Sequence, residues 1–172
     1  KKGTLIATPT GLGANIYASV YGKVTEITDD RIIIEAADEQ PDEFVPIDVP
    51  EDASKLDMVK AAGVVGMGGA GFPTGVKLNI NLAETPMGEI NPEINPELPK
   101  DFSIDCGYIL INAAECEPGL EHNTQQIETQ TDKVIRGIKY CMEITHAEKT
   151  IIAIKKKHHK AIKALQDRKS VV

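Results

Sequence analysis

The chain contains 172 residues, of which 41% are hydrophobic and 26% charged, and its formal net charge is −7. This balance predicts a soluble globular protein of one full domain or two small ones. The acidic charge argues against a general nucleic-acid binder, which needs clustered Lys and Arg, and no apolar run approaches the ~20 residues of a membrane-spanning helix.

The N-terminal part, residues 1–48, is predicted to be a small β module. Short β-branched runs, "TLIATP", "NIYASVYGKVTEI" and "RIIIEAAD", are separated by turn-forming residues, as is typical of short strands. Their order resembles half of a biotinyl- or lipoyl-type barrel-sandwich hybrid. A carrier of that type presents a lysine at a hairpin tip, and Lys23 stands where the tip is expected. Because neither a Met-Lys-Met nor an Asp-Lys-Ala context surrounds it, a scaffold without a lipoyl group is the preferred interpretation.

Residues 49–172 are predicted to form a second, α/β domain. The acidic, proline-containing stretch "EQPDEFVPIDVPEDAS" is expected to link the two modules. A short helix follows, for which Ser54 is the expected N-cap and Gly63 the expected end. The proline-rich stretch near 83–105 disfavours helix and central strand, so we predict an exposed insertion there.

Strand, helix, strand and helix are predicted after the insertion. "GYILIN" and "TIIAIKKK" are typical of buried strands, and the apolar spacing from Ile127 to Met142 predicts a long helix between them. The last helix is expected to turn Ile162 and Leu165 inward. This alternation favours a parallel sheet with right-handed crossovers. The predicted fold class is therefore α/β, with a barrel-sandwich hybrid followed by part of a Rossmann-like domain.

A glycine-rich loop, "GVVGMGGAGFPTG" at residues 63–75, carries the first candidate site. Glycines permit positive φ and let backbone N–H groups face an anion. The spacing matches neither a dinucleotide fingerprint nor a P-loop, so a tight packing turn remains an alternative to a phosphate site. Phe72 adds an apolar face and Lys77 a cation, which together favour a phosphorylated aromatic cofactor. The candidate glycines are Gly66, Gly68, Gly69 and Gly71.

The second candidate site is "NAAECEP", residues 112–118, at the carboxyl end of a predicted parallel strand. Open α/β sheets bind ligands at this edge. Asn112 offers both a donor and an acceptor, and Glu115 and Glu117 place two carboxylates close together. The alternative is a strand end followed by a helix N-terminus, which Glu117 and Glu121 would favour electrostatically.

Three cysteines occur without a C-x-x-C pair. This pattern favours free thiols in a cytoplasmic protein and excludes a complete C-x-x-C-x-x-C iron–sulfur motif from this sequence. Cys116, inside the second candidate site, is expected to be a buried thiol rather than a nucleophile.

The two motifs together, "GMGGAGFPTGVKL" and "INAAECEP", resemble the flavin- and NADH-binding domain shared by the flavin subunit of respiratory complex I and the RnfC-type proteins of the Rnf electron-transport complex. The Rnf type is the closer resemblance, because Ala114 and Cys116 both follow its motif. A soluble relative from clostridial proline reductase systems is also an option. The resemblance covers essentially the whole chain.

The resemblance implies roles for particular residues. The four glycines would line a cleft for flavin mononucleotide (FMN) and NADH, and Phe72 would lie against the adenine. Lys77 and Asn112 would contact the flavin. Glu115 and Glu117 would face the ring and the nicotinamide. Two departures from the complex I motif remove polar contacts: Met67 replaces an arginine and Ala114 an aspartate.

The implied function is a fragment of an electron-transfer flavoprotein subunit that passes electrons between NADH and an iron–sulfur chain through FMN. Two 4Fe-4S clusters belong to a C-terminal part absent from this sequence, so the fragment alone is expected to be inactive. Expected partners are NADH and a protein redox partner, without nucleic acid or a membrane-spanning segment. The expected location is cytoplasmic, with the full-length protein either free or peripheral to the inner face of the membrane. Two alternatives remain, a non-catalytic adaptor that has lost its cofactor and a lipoyl-type carrier.

Overall fold

The computed structural model describes residues 1–67, 69–83 and 107–168. The chain divides into two compact units, Lys1–Asn79 and Ile80–Val172. Each unit is described by itself below. The insertion predicted near 83–105 lies outside the described residues, except for its first residue. No helix among the described residues is long and apolar enough to cross a membrane.

The first unit begins with two antiparallel strand pairs. Its strands are β1 (Leu5–Ala7), β2 (Ile16–Tyr17), β3 (Gly22–Ile27) and β4 (Ile32–Ala36). Strand β1 pairs with β2, and β3 pairs with β4. Each pair contains a register shift of the kind that a β-bulge produces. The β3–β4 hairpin is closed by the Thr28 N–H, which donates to the carbonyl of Arg31 at 3.0 Å.

The predicted hybrid barrel is absent from the described residues, which hold two separate two-stranded sheets here. The physical reason is that β1 and β2 are only 3 and 2 residues long, and every residue of β3 is exposed. Such strands enclose no interior. Lys23 also lies within β3, opposite Glu35, so its predicted position at a hairpin tip is wrong.

Two short helices complete the first unit, α1 (Lys55–Ala61) and α2 (Thr74–Lys77). The Ser54 side chain accepts a hydrogen bond from the Asp57 N–H at 3.1 Å, which confirms the predicted N-cap. Gly63 follows the helix with φ +65°, as a residue ending a helix in the left-handed region commonly does. A Cβ at Gly63 would collide with the Asn15 carbonyl, so the N-terminal segment also requires glycine there.

The second unit contains the predicted strand–helix–strand–helix series. Its elements are β5 (Tyr108–Asn112), α3 (His122–Thr145), β6 (Lys149–Ala153) and α4 (His159–Gln166). Strands β5 and β6 pair in parallel, which confirms the α/β class. The sheet has two strands among the described residues, so the Rossmann-like continuation stays a prediction.

The core of the second unit lies between the sheet and its helices. Ala113, Ile127 and Ala161 are at most 5% exposed and form its centre. Partly buried apolar residues pack against them: Val134, Ile152, Ile154 and Leu165. Helix α3 also buries Thr131, Ile135 and Ile138. The predicted 3.6-residue apolar spacing of α3 and the inward direction of Leu165 are therefore confirmed.

Strand β5 is less buried than predicted. Its residues alternate between exposed and half-buried, and Leu110 is 66% exposed. Strand β6 alternates in the same way, and Leu110 stands opposite Ile151. The continuous apolar run of β5 predicted that both faces of its sheet are covered by other elements. Among the described residues, one face of this two-stranded sheet is open to solvent.

Candidate functional site

The glycine-rich loop is closed at its base by backbone hydrogen bonds. The Gly66 N–H donates to the Phe72 carbonyl at 2.9 Å, and the Thr74 N–H donates to the Val64 carbonyl at 2.9 Å. Val65 and Pro73 form an isolated antiparallel bridge. These contacts fix both ends of the loop where α2 begins, so the glycines lie on an anchored segment.

Two glycines in this loop, Gly69 and Gly71, have open space beside the backbone. Gly71 has φ +64° and Gly69 has φ +153°, conformations that residues with a Cβ rarely adopt. Apart from each glycine and its chain neighbours, no atom of the described residues lies within 4 Å of the position a Cβ would take at either glycine. Packing within the described part of the chain therefore does not explain these glycines, and a ligand could approach the backbone closely. Gly68 lies outside the described residues.

An aromatic face and a cation lie next to each other at the end of the loop. The Lys77 Nζ is 5.9 Å from the centroid of the Phe72 ring, within the range of a cation–π interaction. The Phe72 side chain is 40% exposed, so a ligand can reach it. Met67 is 91% exposed and makes the loop less polar than an arginine would.

The second candidate site begins where β5 ends. The Asn112 Oδ1 accepts a hydrogen bond from the Ala114 N–H at 3.1 Å, a local turn that asparagine often makes. The Ala113 N–H donates to the Ala153 carbonyl at 2.8 Å, which continues the parallel pairing one residue beyond the strands. The start of the "NAAECEP" turn is thus tied to the sheet edge.

Glu115 is buried, with 4% of its surface exposed, and its carboxylate binds the first turn of α3. Its Oε1 accepts hydrogen bonds from the Thr124 N–H at 2.8 Å and from the Thr124 hydroxyl at 3.2 Å. Its Oε2 accepts one from the Asn123 Nδ2 at 3.1 Å, and the His122 Nδ1 lies 3.7 Å from the same oxygen. Both oxygens are therefore engaged by the protein.

The surroundings of Glu115 keep it ionised. Burial by itself raises the pKa of this carboxyl group, but the backbone and side-chain hydrogen bonds from Thr124 lower it, and so do His122 and Asn123. The net direction is a lowered pKa. A carboxylate at the N-terminus of a helix is also stabilised by the helix dipole.

Glu117 and Cys116 take no part in these contacts, and both are exposed. The expectation of a buried Cys116 is wrong; its thiol lies 3.7 Å from the Ala114 carbonyl, as a weak donor. The reason is that Glu115 occupies the interior position of the turn, and the next side chains face outward.

The predicted site residues thus belong to two sets, one in each unit. Gly66, Gly69, Gly71, Phe72 and Lys77 lie together in the first unit, and Asn112, Glu115 and Glu117 in the second. Sequence reasoning missed Thr124 and Asn123, the partners of Glu115. A local capping motif is the sequence signal that usually identifies such partners. Here the N-cap residue Glu121 makes no side-chain cap, and the carboxylate that accepts from Thr124 lies nine residues earlier in the sequence.

Metal chemistry finds no support in the described part of the chain. No group of three or more His, Cys, Asp or Glu side chains there could hold a metal ion. The backbone N–H groups, the Asn112 amide and the Lys77 ammonium at these sites are donors that suit an organic anion.

Comparison with known proteins gives the family. The sequence profile of the Nuo51 FMN-binding domain matches residues 59–170. The chain is 34% identical to the C component of the proton-translocating ferredoxin:NAD(+) oxidoreductase complex of Clostridium ljungdahlii, over 96% of the chain and 35% of that protein. It is 31% identical to the C component of the Na(+)-translocating complex of Acetobacterium woodii, over 95% of the chain and 36% of that protein.

A third relative is the cobalamin reductase PduS of Citrobacter freundii, 40% identical over 62% of the chain and 18% of that protein. The chain spans about a third, or less, of each of these relatives. The resemblance inferred from the two motifs is confirmed, because the profile match includes both of them. The chain belongs to the family of the Nuo51 FMN-binding domain and is similar to the C components of ion-translocating ferredoxin:NAD(+) oxidoreductases.

Proposed function

We propose that this chain is the FMN-binding part of an electron-transfer flavoprotein subunit. The observation that carries the proposal is the anchored glycine loop, in which two positive-φ residues, Gly69 and Gly71, have open space beside them, within the segment that matches the FMN-binding family. A turn needs glycine at positive φ, and at Gly63 of this loop the Asn15 carbonyl also crowds the position of a Cβ. None of the described residues crowds Gly69 or Gly71 in this way.

The groups around both candidate sites fit an anionic, aromatic cofactor. The glycine loop offers backbone N–H donors and Lys77 a positive charge, which suit a phosphate or an electron-rich ring. Phe72 offers a flat surface for a nucleotide base. Asn112 uses its Oδ1 internally and keeps its Nδ2 as a donor. The residues proposed to contact the cofactor are Gly66, Gly68, Gly69, Gly71, Phe72, Lys77, Asn112 and Glu117. Glu115 belongs to the same proposed site, but its carboxylate oxygens are engaged by Asn123 and Thr124.

FMN would supply the redox chemistry, since a flavin accepts a hydride and releases electrons singly. The residues of this chain would bind and orient it. The exposed Glu117 carboxylate would add negative charge, and the apolar Met67 side chain would limit polar contact at the loop. No side chain is needed as a nucleophile or a general base for this function.

NADH is the proposed electron donor or product, and an iron–sulfur protein or domain the proposed exchange partner. Two relatives carry ferredoxin:NAD(+) oxidoreductase in their names, while a third is named as a cobalamin reductase. The identity of the acceptor therefore depends on the rest of the native protein. We propose a cytoplasmic protein with protein partners. We also propose the division into 1–48 and 49–172 for its sequence modules, as distinct from the compact units Lys1–Asn79 and Ile80–Val172.

The test is the colour and redox response of the native protein. We expect flavin absorbance after purification, release of FMN identified by mass spectrometry, and anaerobic bleaching on addition of NADH. NADPH serves as the matched control for donor selectivity. A colourless native protein that takes up no FMN would contradict the proposal and favour the adaptor alternative.

A further inference from the structure

The Glu115 carboxylate is placed to organise the turn after β5 and not to touch a ligand. It is 4% exposed, and each of its oxygens accepts hydrogen bonds from the start of α3. We propose that Glu115 is a positioning residue, whose binding to the first turn of α3 holds Asn112 and Glu117 in place for the cofactor. This inference rests on the proposed FMN site.

Helix α3 depends on Glu115 because it lacks a local cap. The first four N–H groups of a helix have no partner within the helix. The N-cap residue Glu121 has φ −130° and ψ +33° and makes no side-chain hydrogen bond to them. The Thr124 N–H, in the first turn, donates to Glu115 instead. A capping contact that is usually local therefore joins the turn after β5 to the first turn of α3, which is kinked further along at Gln130.

The turn is thereby fixed on both sides. On one side the Ala113 N–H donates to the Ala153 carbonyl of the neighbouring strand. On the other, Glu115 holds the helix. The outward-facing groups lie next to these two anchors: the Nδ2 of Asn112 and the exposed carboxylate of Glu117. Because only one residue separates Glu117 from Glu115, releasing Glu115 would let the Glu117 carboxylate move.

A positioning role and a direct electrostatic role for Glu115 predict different results when its carboxylate is neutralised. If Glu115 acted on the flavin through its charge, neutralising it would shift the flavin potential without disturbing the turn. If it acts by positioning, neutralising it loosens the turn and weakens binding, and the potential of the bound flavin changes only as far as the Glu117 carboxylate is displaced. The exposed Glu117 is the matched control for a carboxylate in the same turn that lacks these contacts.

The experiment compares Glu115→Gln, Glu117→Gln and wild type in the native protein. We expect Glu115→Gln to weaken FMN binding about tenfold or more, because the loosened turn must then be ordered when FMN binds; the lost hydrogen bonds to a charged group set that scale. It should also lower the thermal midpoint and speed hydrogen–deuterium exchange of the amides from 114 to 120 (except Pro118). The flavin midpoint potential should shift less than it does in Glu117→Gln. Glu117→Gln should raise that potential and leave exchange and thermal midpoint as in wild type.

A double variant separates positioning from simple helix stability. Glu121→Ser, added to Glu115→Gln, supplies a local N-cap side chain. It should restore the thermal midpoint but not FMN affinity, because the turn is still untied from the helix. Restoration of FMN affinity would overturn the proposal and leave Glu115 as a helix cap only.

Two other results would also overturn it. One is wild-type FMN affinity in Glu115→Gln. The other is a shift in potential as large as that of Glu117→Gln together with wild-type exchange. A wild-type protein that binds no FMN would instead contradict the proposed function. The exchange measurement is made without flavin, so it tests separately whether Glu115 orders the turn.

Discussion

Substitutions at Gly71 can test separately whether this position needs glycine for its left-handed backbone and whether it needs glycine to admit a ligand. Its φ is +64°, and apart from the glycine and its chain neighbours no atom of the described residues lies within 4 Å of where a Cβ would stand. Alanine there would meet no collision with them but would occupy left-handed backbone at a cost of about 1–2 kcal/mol. Gly137, inside α3, also has open space beside it, and alanine there should stabilise the helix by about 0.5–1 kcal/mol. The two variants should therefore differ by about 1.5–3 kcal/mol.

Asparagine at the same position tests the ligand. It tolerates left-handed backbone better than alanine, so Gly71→Asn should unfold close to wild type, yet its side chain fills the open space. We expect it to weaken FMN binding about tenfold or more, the loss expected when a charged group on the ligand loses its hydrogen bonds. Denaturant unfolding of the native protein measures stability, and quenching of FMN fluorescence measures binding. Gly137→Ala should bind FMN as wild type does.

Two results would refute this reasoning, and they refute different parts of it. Wild-type FMN affinity in both Gly71→Asn and Gly71→Ala would remove the glycine loop from the cofactor site. Equal stability of Gly71→Ala and Gly137→Ala would show that the left-handed backbone at Gly71 carries no strain for a residue with a Cβ.

Three further predictions concern the fold. Ile138 is 3% exposed, so Ile138→Ala should lower the free energy of unfolding by about 2–5 kcal/mol. Leu110 is 66% exposed, so Leu110→Ala should lower it by about 0.5 kcal/mol or less. Equal losses for the two variants in urea unfolding would contradict the burial pattern. Ser54→Ala removes a helix cap and should destabilise α1 by about 1 kcal/mol, seen as faster amide exchange there and unchanged exchange in α3. The Arg31 side chain lowers the pKa of Asp30 to about 2, so its stabilisation is complete above the ordinary value of 3.8 and is lost as pH falls toward 2. A carboxyl NMR titration should show that midpoint, and Arg31→Ala should return it toward 3.8.

Sequence reasoning succeeded where the governing interactions are local or periodic. The N-cap at Ser54 and the helix end at Gly63 depend on neighbours within a few residues. The apolar spacing of α3 reports which of its faces is buried. The strand–helix–strand order favours parallel pairing, because a crossover connection is needed to bring such strands side by side. The two motifs were also sufficient to indicate the family that the profile match confirmed.

The N-terminal sheets show where local pattern was insufficient. Alternating β-branched residues predict strands, and the strands are present. Whether strands close into a barrel depends on their length and on partners along both edges, and no short sequence window contains that information. For the same reason the apolar run in β5 predicted burial on both faces, while Leu110 lies on an open face.

At the candidate site, the sequence alone determined which polar groups stand at the end of β5. The tertiary structure decided which of them binds the protein and which stays exposed. Glu115 and Glu117 are the same residue type two positions apart. One is buried against Thr124, and the other is exposed. The difference arises because the N-terminus of α3 presents unpaired N–H groups to the inner side of the turn. A carboxylate on that side gains their hydrogen bonds, and one on the outer side remains available to a ligand.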